Sequence, residues 1–132
     1  SVDARAIMAL HAAGIVPVIG PIGFVPGDDT DQLVNVNADT VAGNIAAAIS
    51  AERLVFLTDV EGVRGADGST IPRLSAADAR MLIEDGTIAG GMIPKVEACL
   101  HAIEMGVSVQ VVDGRRPGIL RSLEGAGTIM VP

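Results

Sequence analysis

The sequence predicts an α/β fold, a three-layer α/β/α sandwich on a mainly parallel sheet, as a single domain over residues 1–132. Three observations lead there. Ile15–Gly20 is a continuous apolar run, and Leu54–Thr58 and Val107–Val112 read as further buried strands, the pattern of strands covered on both faces. Stretches with helical caps and helical spacing separate them, so strands and helices alternate. Several strands end in polar or glycine-bearing residues, and the carboxyl ends of strands are where open α/β sheets place ligands.

Each element has a local reason. Ser1 or Asp3 can cap a first helix reaching Ala13, with Ile7, Met8 and Leu10 as core-facing candidates and Gly14 as its stop. Ile15–Gly20 then reads as a strand, Pro21–Phe24 as an outward turn, and Pro26–Asp31 as a solvated loop. Three carboxylates in that loop lack the glycine and ligand spacing of a calcium site. Leu33–Val36 is a short strand, and Thr40–Ser50 a helix so rich in Ala that it must pack closely, most naturally on a sheet. Gly65–Ser69 is a turn, with a small hairpin running through Ile71. Ser75-Ala-Ala-Asp78 forms a capping box that opens a helix to about Asp85. Gly90-Gly91 and Pro94 begin another helix, which carries Val96, Cys99, Leu100 and Ile103 on one stripe and ends at Met105. Asp113–Gly118 is a loop, Ile119–Leu123 a short helix and Thr128–Val131 a last strand.

Composition narrows the function. Hydrophobic residues are 49% of the chain, yet no run approaches the roughly 20 apolar positions of a membrane helix. The start Ser1-Val2-Asp3-Ala4-Arg5 has neither the basic end nor the apolar core of a secretory signal, so a cytoplasmic location is the expectation. A single cysteine, Cys99, excludes an internal disulfide and a multi-cysteine metal site. A net charge of −7 and two Phe as the only aromatics disfavour a nucleic-acid surface, and small ligands are the expected partners.

The chemistry is expected at Val34–Thr40, where a strand gives way to a helix. Asn37, Asp39 and Thr40 are capping types, and a cap is their plain explanation. One residue satisfies a cap, however, whereas Asn35, Asn37 and Asp39 crowd the same strand end, which favours a site. The turn Asp59–Val63 repeats the pattern after the next strand, and two such ends side by side form a cleft. Lys95 stands in the first turn of a helix, where the dipole disfavours a cation, so it calls for an anionic partner such as a phosphate. The alternative is a lysine that snorkels into water.

Asn35-Val-Asn-Ala-Asp39, Leu57-Thr-Asp-Val-Glu-Gly-Val63 and Gly90-Gly-Met-Ile-Pro-Lys95, in this order, resemble the amino acid kinase family, and within it the acetylglutamate kinases. The resemblance covers essentially the whole chain but only the carboxyl-terminal, nucleotide-binding half of the family fold. Members are longer, and their first half carries a glycine-rich phosphate loop, a catalytic lysine and most of the acyl-amino-acid pocket. The resemblance implies that Asn35 contacts the acceptor, with Asn37 beside it. It implies that Asp39 holds the catalytic lysines and that Lys95 stabilises the transferring phosphoryl group. Asp59, Val60, Glu61, Gly62, Val63 and Arg64, together with Thr87, Ile88 and Ala89, would line the ATP site, Gly62 and Gly90 admitting the nucleotide to the backbone. ATP and Mg2+ are the implied cofactors, with N-acetyl-L-glutamate and the missing amino-terminal half as partners. No metal ligand is expected from the chain. Arginine-inhibited members carry a His after the Arg-x-Pro loop and a longer, Glu-bearing segment before the last Gly-x-Gly-Thr. Here Gly118 takes the His place and Ile119–Glu124 is shorter, so arginine sensitivity is not expected. A kinase of the same fold acting on another acid, and a non-catalytic nucleotide-binding or folding module, are the competing readings.

Overall fold

The computed structural model describes residues 2–25, 27 and 32–132. The capping role of Ser1 and most of the Pro26–Asp31 loop lie outside the described residues. Among the described residues, four helices, six strands and one 3-10 turn follow in the order α1 (Arg5–Ala12), β1 (Ile22–Phe24), β2 (Leu33–Asn35), α2 (Ala38–Ala48), β3 (Arg53–Thr58), β4 (Arg73–Ser75), α3 (Ala76–Glu84), α4 (Met92–Glu104), β5 (Ser108–Asp113), η1 (Ile119–Arg121) and β6 (Thr128–Val131).

The main sheet has the order β3-β5-β6-β4. β3 and β5 are parallel with Phe56 opposite Val111, β4 and β6 are parallel, and β5 and β6 are antiparallel. Parallel pairings therefore dominate, as expected, around one antiparallel seam. α2, α4 and α3 lie side by side over this sheet, on β3, β5 and β4 respectively. Period-2 alternation explains which strand residues they cover. Phe56, Leu74, Val109, Val111 and Met130 enter a core shared with Ala46, Ala79, Val96, Cys99 and Ile103. Gln110, pointing the other way, donates from Nε2 to the carbonyls of Leu123 and Ala126 at 2.7 Å and pins the η1 segment to the second face. The second outer layer of this α/β sandwich is thus one irregular segment with a single turn of 3-10 helix.

Local signals account for most helices. Asn37 caps α2 by accepting from the Thr40 amide at 3.0 Å, and Ser75 caps α3 by accepting from the Asp78 amide at 3.0 Å. The Ala-rich α2 packs on α4 as well as on β3. At Gly43 a methyl would already touch the Ala98 carbonyl (3.7 Å) and the Ala102 methyl (3.8 Å).

The amino-terminal third departs from expectation. Ile15–Gly20 forms no strand, and Val16 and Val18 are 86% and 98% exposed. Its apolar residues suit a buried strand, but none of the described strands pairs with it, Pro17 has no amide to offer a ladder, and an unpaired strand has no partner for its amides and carbonyls. The expected core positions on α1 are little covered: no α1 residue is fully buried, Ile7 is half-buried, and Met8 and Leu10 are exposed. The Pro21–Phe24 stretch, expected as a turn, supplies β1, which pairs antiparallel with β2 in a separate two-stranded ribbon. β4 was not expected; only three residues long, it gave no readable alternation. The hairpin through Ile71 is present as an Arg64–Thr70 bridge closed by Gly65 N to Ser69 O at 2.9 Å.

Candidate active site

Because β3 and β5 are parallel and each follows a helix, the amino ends of α2 and α4 emerge at the same edge as the carboxyl ends of those strands. The positive ends of two helix dipoles are thereby brought together, with the Thr40 amide taken by Asn37, the Met92 and Ile93 amides by the Ala89 and Gly90 carbonyls, and Pro94 offering none. Asp39, in the first turn of α2, and Lys95, in the first turn of α4, meet across this edge although 56 positions apart: Lys95 Nζ donates to Asp39 Oδ2 at 2.9 Å and to Oδ1 at 3.1 Å. The pair is half-buried, with side chains 21% and 26% exposed, so water screens it little. The Asp39 carboxylate favours its own helix end, and it offsets the unfavourable placement of the ammonium on the other. Lys95 Nζ also lies over the Phe56 ring, 5.3 Å from its centroid.

The remaining candidates divide. Asn35, exposed at the end of β2, belongs to the ribbon opposite Ile22. Asn37 is a cap: its Oδ1 accepts from both the amide and the hydroxyl of Thr40, at 3.0 and 3.3 Å. Asp59–Arg64 forms a tight turn off β3, where the Thr58 hydroxyl accepts from the Val60 amide at 3.0 Å. Gly62 and Val63 are buried within it, and the Val63 amide donates to Thr128 Oγ1 at 2.8 Å. A Cβ on Gly62 would sit 2.6 Å from that hydroxyl and 2.8 Å from Thr70 Cγ2, so this glycine answers first to packing under β6. Glu61 faces a cleft shared with Thr70, Asp113, Arg116 and Gly127. Thr87–Ala89 lies ahead of α4, tied to α3 by Ile88 N to Leu82 O at 2.7 Å and Thr87 N to Asp85 Oδ1 at 2.9 Å. It does not line the Glu61 cleft. Above Gly90 the space is open.

Electrostatics at the rim is set by Asp113, at the end of β5. Hydrogen bonds from the Arg115 side chain and amide, at 2.9 to 3.0 Å, hold its carboxyl down at about 2. Below the ion pair, burial pushes the Cys99 thiol up to about 12. Sequence reasoning named neither Phe56 nor Thr128. The one available signal was that Phe56 is one of only two phenylalanines and sits in a buried strand.

The model of the "Amino acid kinase family" matches residues 1–113. The chain belongs to that family. It is 54% identical over 117 residues to an acetylglutamate kinase of Granulibacter bethesdensis, covering 88% of this chain and 38% of the relative. To an acetylglutamate kinase of Brucella anthropi it is 49% identical over 136 residues, covering 99% of this chain and 45% of the relative. The chain thus spans less than half the length of the curated relatives it matches. Among solved structures, an N-acetylglutamate synthase from Neisseria gonorrhoeae, complexed with coenzyme A and L-arginine, superposes with a TM-score of 0.87 at 28% identity, over 99% of this chain and 31% of that one. Among the described residues no helix is long and apolar enough to cross a membrane.

Proposed function

We propose that this amino acid kinase domain is the nucleotide-binding half of an N-acetyl-L-glutamate kinase, which transfers the γ-phosphoryl group of ATP to the side-chain carboxylate of N-acetyl-L-glutamate, a step of arginine synthesis. The observation that carries the reading is the Lys95–Asp39 pair at two converging helix ends. Phosphoryl transfer spreads negative charge over the moving group and asks the protein for positioning and neutralisation rather than a nucleophile. Lys95 supplies the cation, the two helix dipoles turn their positive ends to the same edge, and Asp39 fixes the ammonium's place before substrate arrives. High identity to proteins named acetylglutamate kinase supports the choice of acceptor over other acids.

ATP would lie against the Asp59–Arg64 turn and the Thr87–Ala89 segment, with Asn35 turned toward the acceptor. Mg2+ neutralises phosphate oxygens when bound. Among the described residues no three His, Cys, Asp or Glu side chains cluster, so the chain fits an ion held chiefly by the nucleotide, as Mg2+ commonly is. The partner is the amino-terminal half of the enzyme. Val16, Val18, Ile22, Phe24 and Leu33, all more than half exposed, form an apolar tract suited to a contact of this kind.

A coupled ADP-release assay tests the reading, using the chain alone and the chain mixed with the separately expressed amino-terminal region of the Granulibacter relative. The expected result is acetylglutamate-dependent turnover only in the mixture. Lys95→Ala and Asp39→Asn should lower kcat far more than they weaken nucleotide binding, because charge aimed at the transition state acts mainly there. Equal loss of affinity and turnover in Lys95→Ala, or ADP-induced amide shifts remote from residues 59–64 and 87–89, would overturn it. A non-catalytic module would give no turnover in either preparation.

A further inference from the structure

Phe56 is 5% exposed, whereas the chain's other phenylalanine, Phe24, is 71% exposed. A β3 position on the helix-covered face could hold any aliphatic residue, and its neighbours in the core are mostly Val, Leu, Ile and Ala. An aromatic ring there presents its negative face to a cation, and the Lys95 ammonium lies 5.3 Å from its centroid, inside the range of a cation–π contact.

We propose that Phe56 is a positioning residue for Lys95, holding the ammonium at the helix edge through its ring face. The inference rests on the reading of Lys95 as the phosphoryl-contacting lysine. Its physical logic is a matter of charge. A second carboxylate would hold Lys95 as well, but it would cancel the positive charge that an incoming phosphate needs. A ring attracts the cation through its quadrupole while adding no net charge. Nor does the ring require one particular N–H: two of the three ammonium donors are matched by the Asp39 oxygens at 2.9 and 3.1 Å, and attraction to the ring is to the cation as a whole. Phe56 thus anchors Lys95 from the sheet side and Asp39 from the α2 side, and the ring contact persists when phosphate oxygens compete with Asp39 for the ammonium.

The test replaces Phe56 by mono-, di- and trifluorinated phenylalanines, which keep its shape and progressively weaken the ring's negative face, and by Leu, which removes the ring. Turnover of ATP and N-acetyl-L-glutamate is measured in the mixture described above, and stability by urea unfolding of the chain. The expected result is a stepwise fall of kcat across the fluorinated series, with a loss of roughly threefold to tenfold in Phe56→Leu. KM for ATP and the urea midpoints of the fluorinated forms should stay nearly unchanged. In the chain alone, the Lys95 ε-methylene protons should be shifted upfield by the ring and return toward ordinary values in Phe56→Leu. A kcat that is flat across the fluorinated series while Lys95→Ala is impaired, or lysine protons that do not respond to Phe56→Leu, would overturn the proposal and leave Phe56 as packing. Full turnover in Lys95→Ala would instead overturn the reading of Lys95 beneath it.

Discussion

Replacing Gly127 by Ala should be among the most damaging single-methyl changes in this chain, and its cause is separable from backbone conformation by a control two residues away. Gly127 has φ +63, and a Cβ built there lies 1.9 Å from the Val111 carbonyl oxygen and 2.8 Å from that of Glu61. Ordinary contact begins near 3.4 Å, so either β5 or Gly127 must retreat by roughly 1.5 Å. Val111 cannot do so cheaply, since it is fully buried in β5 and paired with Thr128. Movement of Gly127 instead drags Thr128, whose hydroxyl accepts from the buried Val63 amide. The left-handed conformation costs an L-residue about 1–2 kcal/mol, partly offset by about 0.4–1 kcal/mol from the stiffer unfolded chain. Overpacking adds about 1–3 kcal/mol, and loss of the Val63 hydrogen bond about 1–3 kcal/mol. A total of about 2–8 kcal/mol is a large share of the roughly 5–15 kcal/mol that holds a typical domain folded. Gly125 has φ +71 with no atom within 4 Å of an added Cβ, so Gly125→Ala should cost only about 1 kcal/mol or less. Urea unfolding of the two variants followed by circular dichroism measures the difference. Equal losses in both, or a loss in Gly127→Ala below about 1 kcal/mol, would refute the steric argument.

Ser50, just beyond α2, is the described non-glycine residue with positive φ, at 52°, so Ser50→Gly should stabilise by up to about 1 kcal/mol and raise Tm by a few degrees. Cys99, buried and with its thiol pushed up to about 12, should resist iodoacetamide at pH 8 in the folded chain and react readily once unfolded in urea. Asp113 is held at about 2 in the folded state against about 4 unfolded; its contribution to stability is complete above the unfolded value and disappears as pH falls through about 2. Urea midpoints should therefore drop more steeply between pH 5 and pH 2 in the parent chain than in Asp113→Asn, and parallel slopes would contradict this. A double-mutant cycle of Lys95→Ala with Asp39→Asn should show strong non-additivity in kcat, since either change alone leaves the other charge without its partner.

The helices from α2 onward and strands β3, β5 and β6 were legible in the sequence because their signals are local: caps at Asn37 and Ser75, the Val- and Leu-rich stretches ending at Thr58 and Val112, and the stop at Gly106. Lys95 and Asp39 were legible as residue types out of keeping with a bland helix start or a simple cap. What the sequence could not supply was adjacency. Ile15–Gly20 is apolar as a buried strand would be, but Pro17 lacks an amide for a central ladder, and a strand exists only where another pairs with it. Its apolar side chains therefore remain in water, while three-residue β4, with no pattern to announce it, is ordered by β6. The ion pair is decided the same way. The pairing of β3 with β5 brings α2 and α4 side by side, so two first turns 56 residues apart put an ammonium within 3.1 Å of a carboxylate and above a phenyl ring. Periodicity and capping are properties of neighbours in the chain, and the site is made by neighbours in space.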